Sequence, residues 1–291
     1  MNEFVYNSTE QRQLRRLPRD LIRARELLRD LVSKNLRVRY RYAVMGFLWA
    51  IFEPLALMLV LTFIFTFIFS GRAPVSGQEN TPYAVSLLCG LIFWQFTATA
   101  LTSATQSLID NQNLVKKVHF PREIIPIAAT GYPLVNLGIG FVILLALHVI
   151  SGGIIRLSLL YFCIVFGLHI AALVGLAMLL ACANVLYRDI GYMTSVAVVF
   201  GFYASPVFYP LEFVVRLTDL PAWVEPWYPW LVRLYLLNPM AELLTAYRQI
   251  LFECRFPDLW LLAWPSVTAV VALGLGAYVC RRTGPTLSDY L

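Results

Sequence analysis

Apolar residues run in long blocks along this chain. Residues 43–69 contain one charge, Glu53; residues 83–109, 124–150 and 157–187 contain none. Residues 190–215 carry one acid, Glu212, near the end of the block, and 259–280 is uncharged. A bilayer core about 30 Å thick needs roughly 20 apolar residues as a helix, so each block is long enough to cross. In lipid the backbone must satisfy its own hydrogen bonds, and at these lengths that means helices rather than barrel strands. The pattern predicts six crossings.

Between residues 18 and 43 the pattern changes. Leu21, Ala24, Leu28, Leu31 and Val38 recur at three- and four-residue spacing with arginines between them. Such a stripe next to a crossing predicts an amphipathic helix on the membrane surface, in preference to a basic arm for nucleic acid. No partner nucleic acid is expected. The stretch 210–257 is rich in aromatics and prolines, among them Trp223, Trp227, Tyr228, Trp230, Tyr235 and Pro239. Tryptophan and tyrosine favour the headgroup layer, so short interfacial or re-entrant helices are expected there.

Charge placement orients the crossings. Seventeen of the 23 Lys and Arg fall before the first crossing, in the second-to-third and fourth-to-fifth connections, and in the tail. The rest (Arg72, Arg156, Arg216, Arg233, Arg248 and Arg255) fall on the other side. The positive-inside rule then puts both termini in the cytoplasm, and residues 1–42 lack the apolar core of a cleaved signal peptide. The sequon Asn7-Ser8-Thr9 is then on the wrong side for glycosylation. Composition agrees: 59% of residues are hydrophobic and 14% charged, against about 25% charged in soluble domains. The expected fold is an all-α integral membrane protein. It has six transmembrane helices, an N-terminal amphipathic interface helix, and short re-entrant or interfacial helices between spans five and six. The expected division is a cytoplasmic segment 1–42, a transmembrane domain 43–280 and a cytoplasmic tail 281–291.

Catalytic chemistry has no visible apparatus. There is no phosphate-binding G-x-x-x-x-G-K-[ST], no H-E-x-x-H and no G-x-S-x-G. His119, His148 and His169 are isolated, which favours structural roles. Cys89, Cys163, Cys182, Cys254 and Cys280 show no ligand spacing and read as small hydrophobes rather than a disulfide framework. No catalytic residue, metal ligand or resident cofactor is expected.

Polar residues inside crossings are costly and therefore informative. Glu53-Pro54 reads either as a gate acid or as an acid paired near the inner interface, with Pro54 removing one amide. Gln95, Thr99, Thr102 and Gln106 share one helical face, which suits either helix–helix hydrogen bonds or a wet path. The run that includes Phe200, Tyr203, Phe208 and Tyr209 reads as packed core or as a path for flat, weakly polar sugar faces. Leu114-Val115-Lys116-Lys117-Val118-His119-Phe120-Pro121-Arg122 mixes apolar side chains with charge on a cytoplasmic connection. A short helix docking into a partner's groove explains that mixture.

Five segments stand out in order along the chain: YAVMGFLWAIFEP at 42–54, NLVKKVHFPREIIP at 113–126, YRDI at 187–190, SPVFYP at 205–210 and LNPMAELLTAYR at 237–248. Taken together they resemble the ABC-2 type permeases, in particular the branch exporting O-antigen, capsule and teichoic acid. The resemblance implies a homodimer in the bacterial inner membrane joined by two ATPase subunits, which bind the ATP and Mg. It implies that Leu114–Arg122 is the coupling helix, with Tyr187, Arg188 and Asp189 as a second contact. The first and fifth spans would line a channel and 210–257 would form its outer gate. The substrate would be a lipid-linked polysaccharide, its pyrophosphate near Arg37, Arg39 and Arg41. Export of a small hydrophobic drug or lipid is the alternative, and a membrane-embedded lipid-modifying enzyme a more distant one.

Overall fold

The computed structural model describes residues 25–41, 46–68, 82–117, 120–215, 224–284 and 287–290. Leu21, Ala24, Val118, His119 and Trp223 lie outside the described residues. Among those described there is no β-strand.

The first helix among the described residues is α1 (Arg25–Tyr40), which carries Glu26 in its first turn and Arg37 and Arg39 in its last, as the helix dipole favours. Leu31 is buried and Leu27, Leu28 and Val32 pack beside it, whereas Val38 is exposed. The stripe therefore faces the protein over its first turns and leaves it near its end. α1 lies on α5 (Ile124–Ala129) and the start of α6 (Gly131–Ile150).

Among the described residues, five helical stretches are long and apolar enough to cross a membrane: Trp49–Ile68, Tyr83–Asp110, Ile124–Ile150, Leu159–Leu186 and Leu259–Thr283. The first is α2 (Trp49–Phe63), which runs through Pro54 and ends in a wider turn at Ile64–Ile68. The second is α3 (Tyr83–Asp110), the third joins α5 to α6, the fourth is α7 (Leu159–Leu186) and the fifth is α12 (Leu259–Thr283). Burial is unequal. α3 is enclosed along most of its length, whereas α2 is exposed on almost every side.

The expected crossing at 190–215 differs. It is α8 (Asp189–Tyr203), a 15-residue helix followed by a non-helical turn and then α9 (Leu211–Val215). At 1.5 Å per residue α8 reaches only about 22 Å, short of the roughly 30 Å core. Pro206 and Pro210 explain the break, since neither has an N–H to continue the ladder.

The aromatic stretch after α9 forms a short turn at Glu225–Trp227, then α10 (Tyr228–Leu236) and α11 (Pro239–Leu251). α10 exposes Trp230, Leu231 and Leu234. α11 is the reverse, buried nearly throughout against α3, α7 and α12. Asn238 starts it by accepting from the Met240 N–H at 3.0 Å, with Pro239 as its first residue.

The most extensive helix pair is α7 with α12. Gly175 and Gly276 let them touch backbone to backbone, because a Cβ on either would overlap the opposite main chain. Close approach through small residues is how helices gain dispersion energy where lipid removes the hydrophobic drive. Near one end of this pair, Cys182 and Cys280 are joined as a disulfide with Cα atoms 5.9 Å apart. This corrects the expectation of five unconnected thiols: the sequence separation of 98 hides a contact that helix packing creates.

Candidate functional site

Polar and aromatic groups concentrate in three places: a basic end, a cleft beside α2, and the helix break after α8.

At the basic end, α4 (Gln112–Lys117) follows α3 directly. Val115 is buried, and Leu114 and Phe120 pack against the cluster that holds Leu31, Leu108, Ile124 and Met178. Leu114, Val115 and Phe120 thus pack into the chain's own core, and the charged side chains beside them are what this connection offers a partner. Lys116, Lys117 and Pro121 remain exposed, as do Tyr187, Arg188 and Asp189, while Arg122 is half-buried. α13 (Leu287–Tyr290) lies against α4 and α7, with Leu287 fully buried. Glu123 accepts from Arg281 Nε at 3.2 Å, fastening the α4–α5 connection to the end of α12. Lys34 Nζ donates to Asn111 Oδ1 at 2.8 Å, fastening α1 to the junction of α3 and α4.

The polar stripe of α3 divides between its neighbours. Gln95 donates to Glu53 Oε1 at 2.8 Å, so the acid of α2 is paired with α3 rather than with an arginine. Glu53, Gln95, Thr99, Asn136 and Arg39 line one cleft between α2, α3 and α6. Arg39 also lies over the Tyr132 ring, 5.2 Å from its centre, with the hydroxyl 3.4 Å from Nη1. Arg37 and Arg41 are exposed. Thr102 turns its hydroxyl to the Ala98 carbonyl of its own helix. Gln106 lies roughly three turns beyond Gln95 along the same face, where Asn184 donates to it at 3.3 Å and to the Thr105 carbonyl at 2.9 Å. Gln106, Asn184, Arg188, Tyr192 and Tyr290 line a second cleft at the basic end. The stripe therefore runs from the α2 side to the α8 side.

The third place divides the aromatic run. Phe200 and Tyr203 are 73% and 64% exposed on α8, with Tyr203 meeting the Phe202 and Phe208 rings edge-on at 5.2 and 6.3 Å. Phe208 stacks on Phe65 with centroids 5.7 Å apart, and Tyr209 donates to the Tyr203 carbonyl at 2.9 Å. Tyr235 donates to Tyr209 at 3.2 Å, and burial holds the Tyr235 proton on. Burial raises the Glu242 carboxyl to about 7.

Sequence reasoning missed the polar core beneath. His169 sits between the Thr97 and Tyr247 hydroxyls, at 2.8 and 3.0 Å, and Tyr247 stacks on Phe93 with centroids 3.8 Å apart. Arg248, a loop charge by sequence position, is buried, because α11 enters the bundle. Its place as the one charge in the stretch LLTAYRQIL was the available signal.

Among the described residues, five helices of membrane-crossing length and no strand make up a multi-pass membrane protein. Residues 26–252 match the ABC-2 type transporter family, and the chain belongs to it. It is 29% identical to the O-antigen export system permease protein RfbA of Myxococcus xanthus, over 84% of this chain and 86% of that protein. Two RfbA proteins of Klebsiella pneumoniae, also named as O-antigen export permeases, are 25% and 24% identical over 77% of this chain and 80% of their own length.

Proposed function

We propose that the chain is the membrane subunit of an ATP-driven exporter that moves a lipid-linked, O-antigen-like polysaccharide across the bacterial inner membrane. The observation that carries this reading is the likeness to permeases named for O-antigen export over most of the chain's length. Two copies would enclose the path, and two ATPase subunits would bind the ATP and Mg. The exposed apolar faces of α2 and α8, which flank the α3 stripe, support a second copy there. Chemical steps would lie with the ATPase, so this subunit is a channel rather than an enzyme.

In this reading six crossings are made, with α8, its break and α9 together as the short fifth. Both ends of the chain are cytoplasmic, and residues 1–42 and 281–291 flank the transmembrane domain. The basic end then faces the ATPase, which would meet Lys116, Lys117, Pro121, Tyr187, Arg188 and Asp189. Arg37, Arg39 and Arg41 would attract the lipid phosphate at the inner surface. A sugar chain is strongly hydrated, so a path must bind each repeat weakly while its hydroxyls stay wet. Aromatic faces such as Phe200 and Tyr203 suit this, because they touch the apolar face of a ring and impose no fixed charge pair.

Purification of the tagged chain with its ATPase tests the reading. The expected result is a complex of two copies of each subunit whose ATP hydrolysis rises with lipid-linked polysaccharide. Stimulation by a small hydrophobic drug or a simple lipid, and not by the polysaccharide, would contradict it.

A further inference from the structure

We propose that Arg248 is a positioning residue of the translocation path: its guanidinium, buried in α11, holds the helix break at 204–210 by taking up the Val207 and Tyr209 carbonyls. The inference rests on the reading of that segment as part of the path.

The break poses a physical problem. α8 ends at Tyr203 and α9 starts at Leu211, so the carbonyls between them have no helical partner. Irregular backbone at membrane depth persists only where the protein itself supplies those partners. Here the supply is nearly complete. Tyr209 Oη takes the Tyr203 carbonyl, Asn238 Nδ2 that of Ala204 at 3.0 Å, and the Val207 N–H that of Ser205 at 2.7 Å. Arg248 Nη2 takes Val207 at 2.7 Å and Nη1 takes Tyr209 at 3.1 Å. Tyr83 of α3 takes the intervening Phe208 carbonyl at 2.8 Å.

Arginine fits this position for a geometric reason. Two carbonyls two residues apart point the same way, and a planar fork with two outer nitrogens spans both, whereas one ammonium is a single point. The bonded partners of this buried cation are carbonyls, not a carboxylate. Room for the arrangement comes from Gly90 on α3, where a Cβ would overlap the Val207 carbonyl and touch the guanidinium. α11 in turn is anchored in the bundle core through Tyr247, Leu243 and Leu244. Arg248 thus joins a fixed helix to a segment whose Phe208 stacks on Phe65 at the end of α2. It sets where the aromatic side chains between α8 and α2 stand.

The test places a thiol at the held position. Val207 is fully buried, and V207C in a background lacking the other reactive cysteines should resist N-ethylmaleimide in isolated membranes. Three changes are compared in that background: R248M, R248K and T245V. Thr245 is a buried control one turn away whose hydroxyl bonds the Ala241 carbonyl of its own helix. Membrane abundance, rate of labelling of the introduced thiol and polysaccharide export per molecule are read for each. R248M should accumulate, label about tenfold faster and lose about tenfold in export, the scale of a lost charged hydrogen bond. R248K should restore part of both, and T245V should change neither.

Unchanged labelling in R248M, or wild-type export per molecule, would overturn the proposal. So would loss of both R248M and R248K from the membrane, since that marks a folding role. Labelling that also rises in T245V would overturn it, because the segment then responds to any change in α11. The labelling arm needs no knowledge of the cargo. If the parent chain moves no polysaccharide while the introduced thiol behaves as expected, the functional reading fails and the role of Arg248 in holding the segment stands.

Discussion

Arg281 and Glu123 are 158 positions apart in sequence, yet the guanidinium donates to the carboxylate at 3.2 Å with both side chains largely enclosed. The pair joins the last turn of α12 to the connection that carries α4. A push on α4 would therefore reach α12 through a polar link as well as through packing. Breaking one partner of a mostly buried pair leaves a charge without compensation, at a cost of about 3 kcal/mol, or less with partial exposure. E123Q and R281M should each lower the melting temperature of the detergent-extracted protein and weaken stimulation of the ATPase. E123R/R281E should recover part of both. Equal loss in the exchanged variant and the singles would show that the pair does not act as a link.

The two kinds of side chain around α4 should fail differently. Lys116 and Lys117 are exposed, so K116E/K117E should leave membrane abundance unchanged and reduce ATPase co-purification, more so at low salt. Phe120 packs into the chain's own cluster, so F120D should lower the amount of folded permease itself, since removing a core Phe contact costs about 3–5 kcal/mol. Full-level F120D permease that merely loses the ATPase would restore Phe120 as a partner anchor.

Among the aromatics near the break, exposure divides the expected outcomes. F200A and Y203A should accumulate normally and lose export, because their side chains face outward. F208A and Y209A should lose protein, because Phe208 stacks on Phe65 and Tyr209 bonds two neighbours. Membrane abundance and surface glycan, measured together, separate the classes. Export that falls only in proportion to protein for F200A and Y203A would make them ordinary packing or lipid-facing residues.

Orientation is checked by labelling. Cys254, in a cysteine-poor background, should react with an impermeant maleimide in intact cells, and K117C only after permeabilisation. Labelling of K117C in sealed cells would reverse the proposed orientation.

Much of this was legible in the sequence because lipid imposes a simple rule: an uncharged block of sufficient length becomes a helix. Five blocks obeyed it. The sixth did not, since Pro206 and Pro210 stop the ladder and hydropathy does not register a missing N–H. The α3 stripe was visible as a spacing, but not that Gln95 meets α2 and Gln106 meets α7, because periodicity fixes a face and not its neighbours. Arg248 was hidden by arithmetic that treats every arginine outside a crossing as solvated. Cys182 and Cys280 were hidden in the same way, by a contact that exists only once α7 and α12 pack.

The central claim is that the cargo is a polysaccharide carried on a lipid, and its fate when the permease is withdrawn tests that most directly. Cells depleted of this protein would be pulsed with labelled sugar, and the inner-leaflet lipid-linked pool and the surface glycan measured together. Long lipid-linked polymer should build up inside while the surface glycan declines, and re-expression should clear the pool. Surface glycan that persists at its normal level through depletion, with no inner pool forming, would contradict the claim.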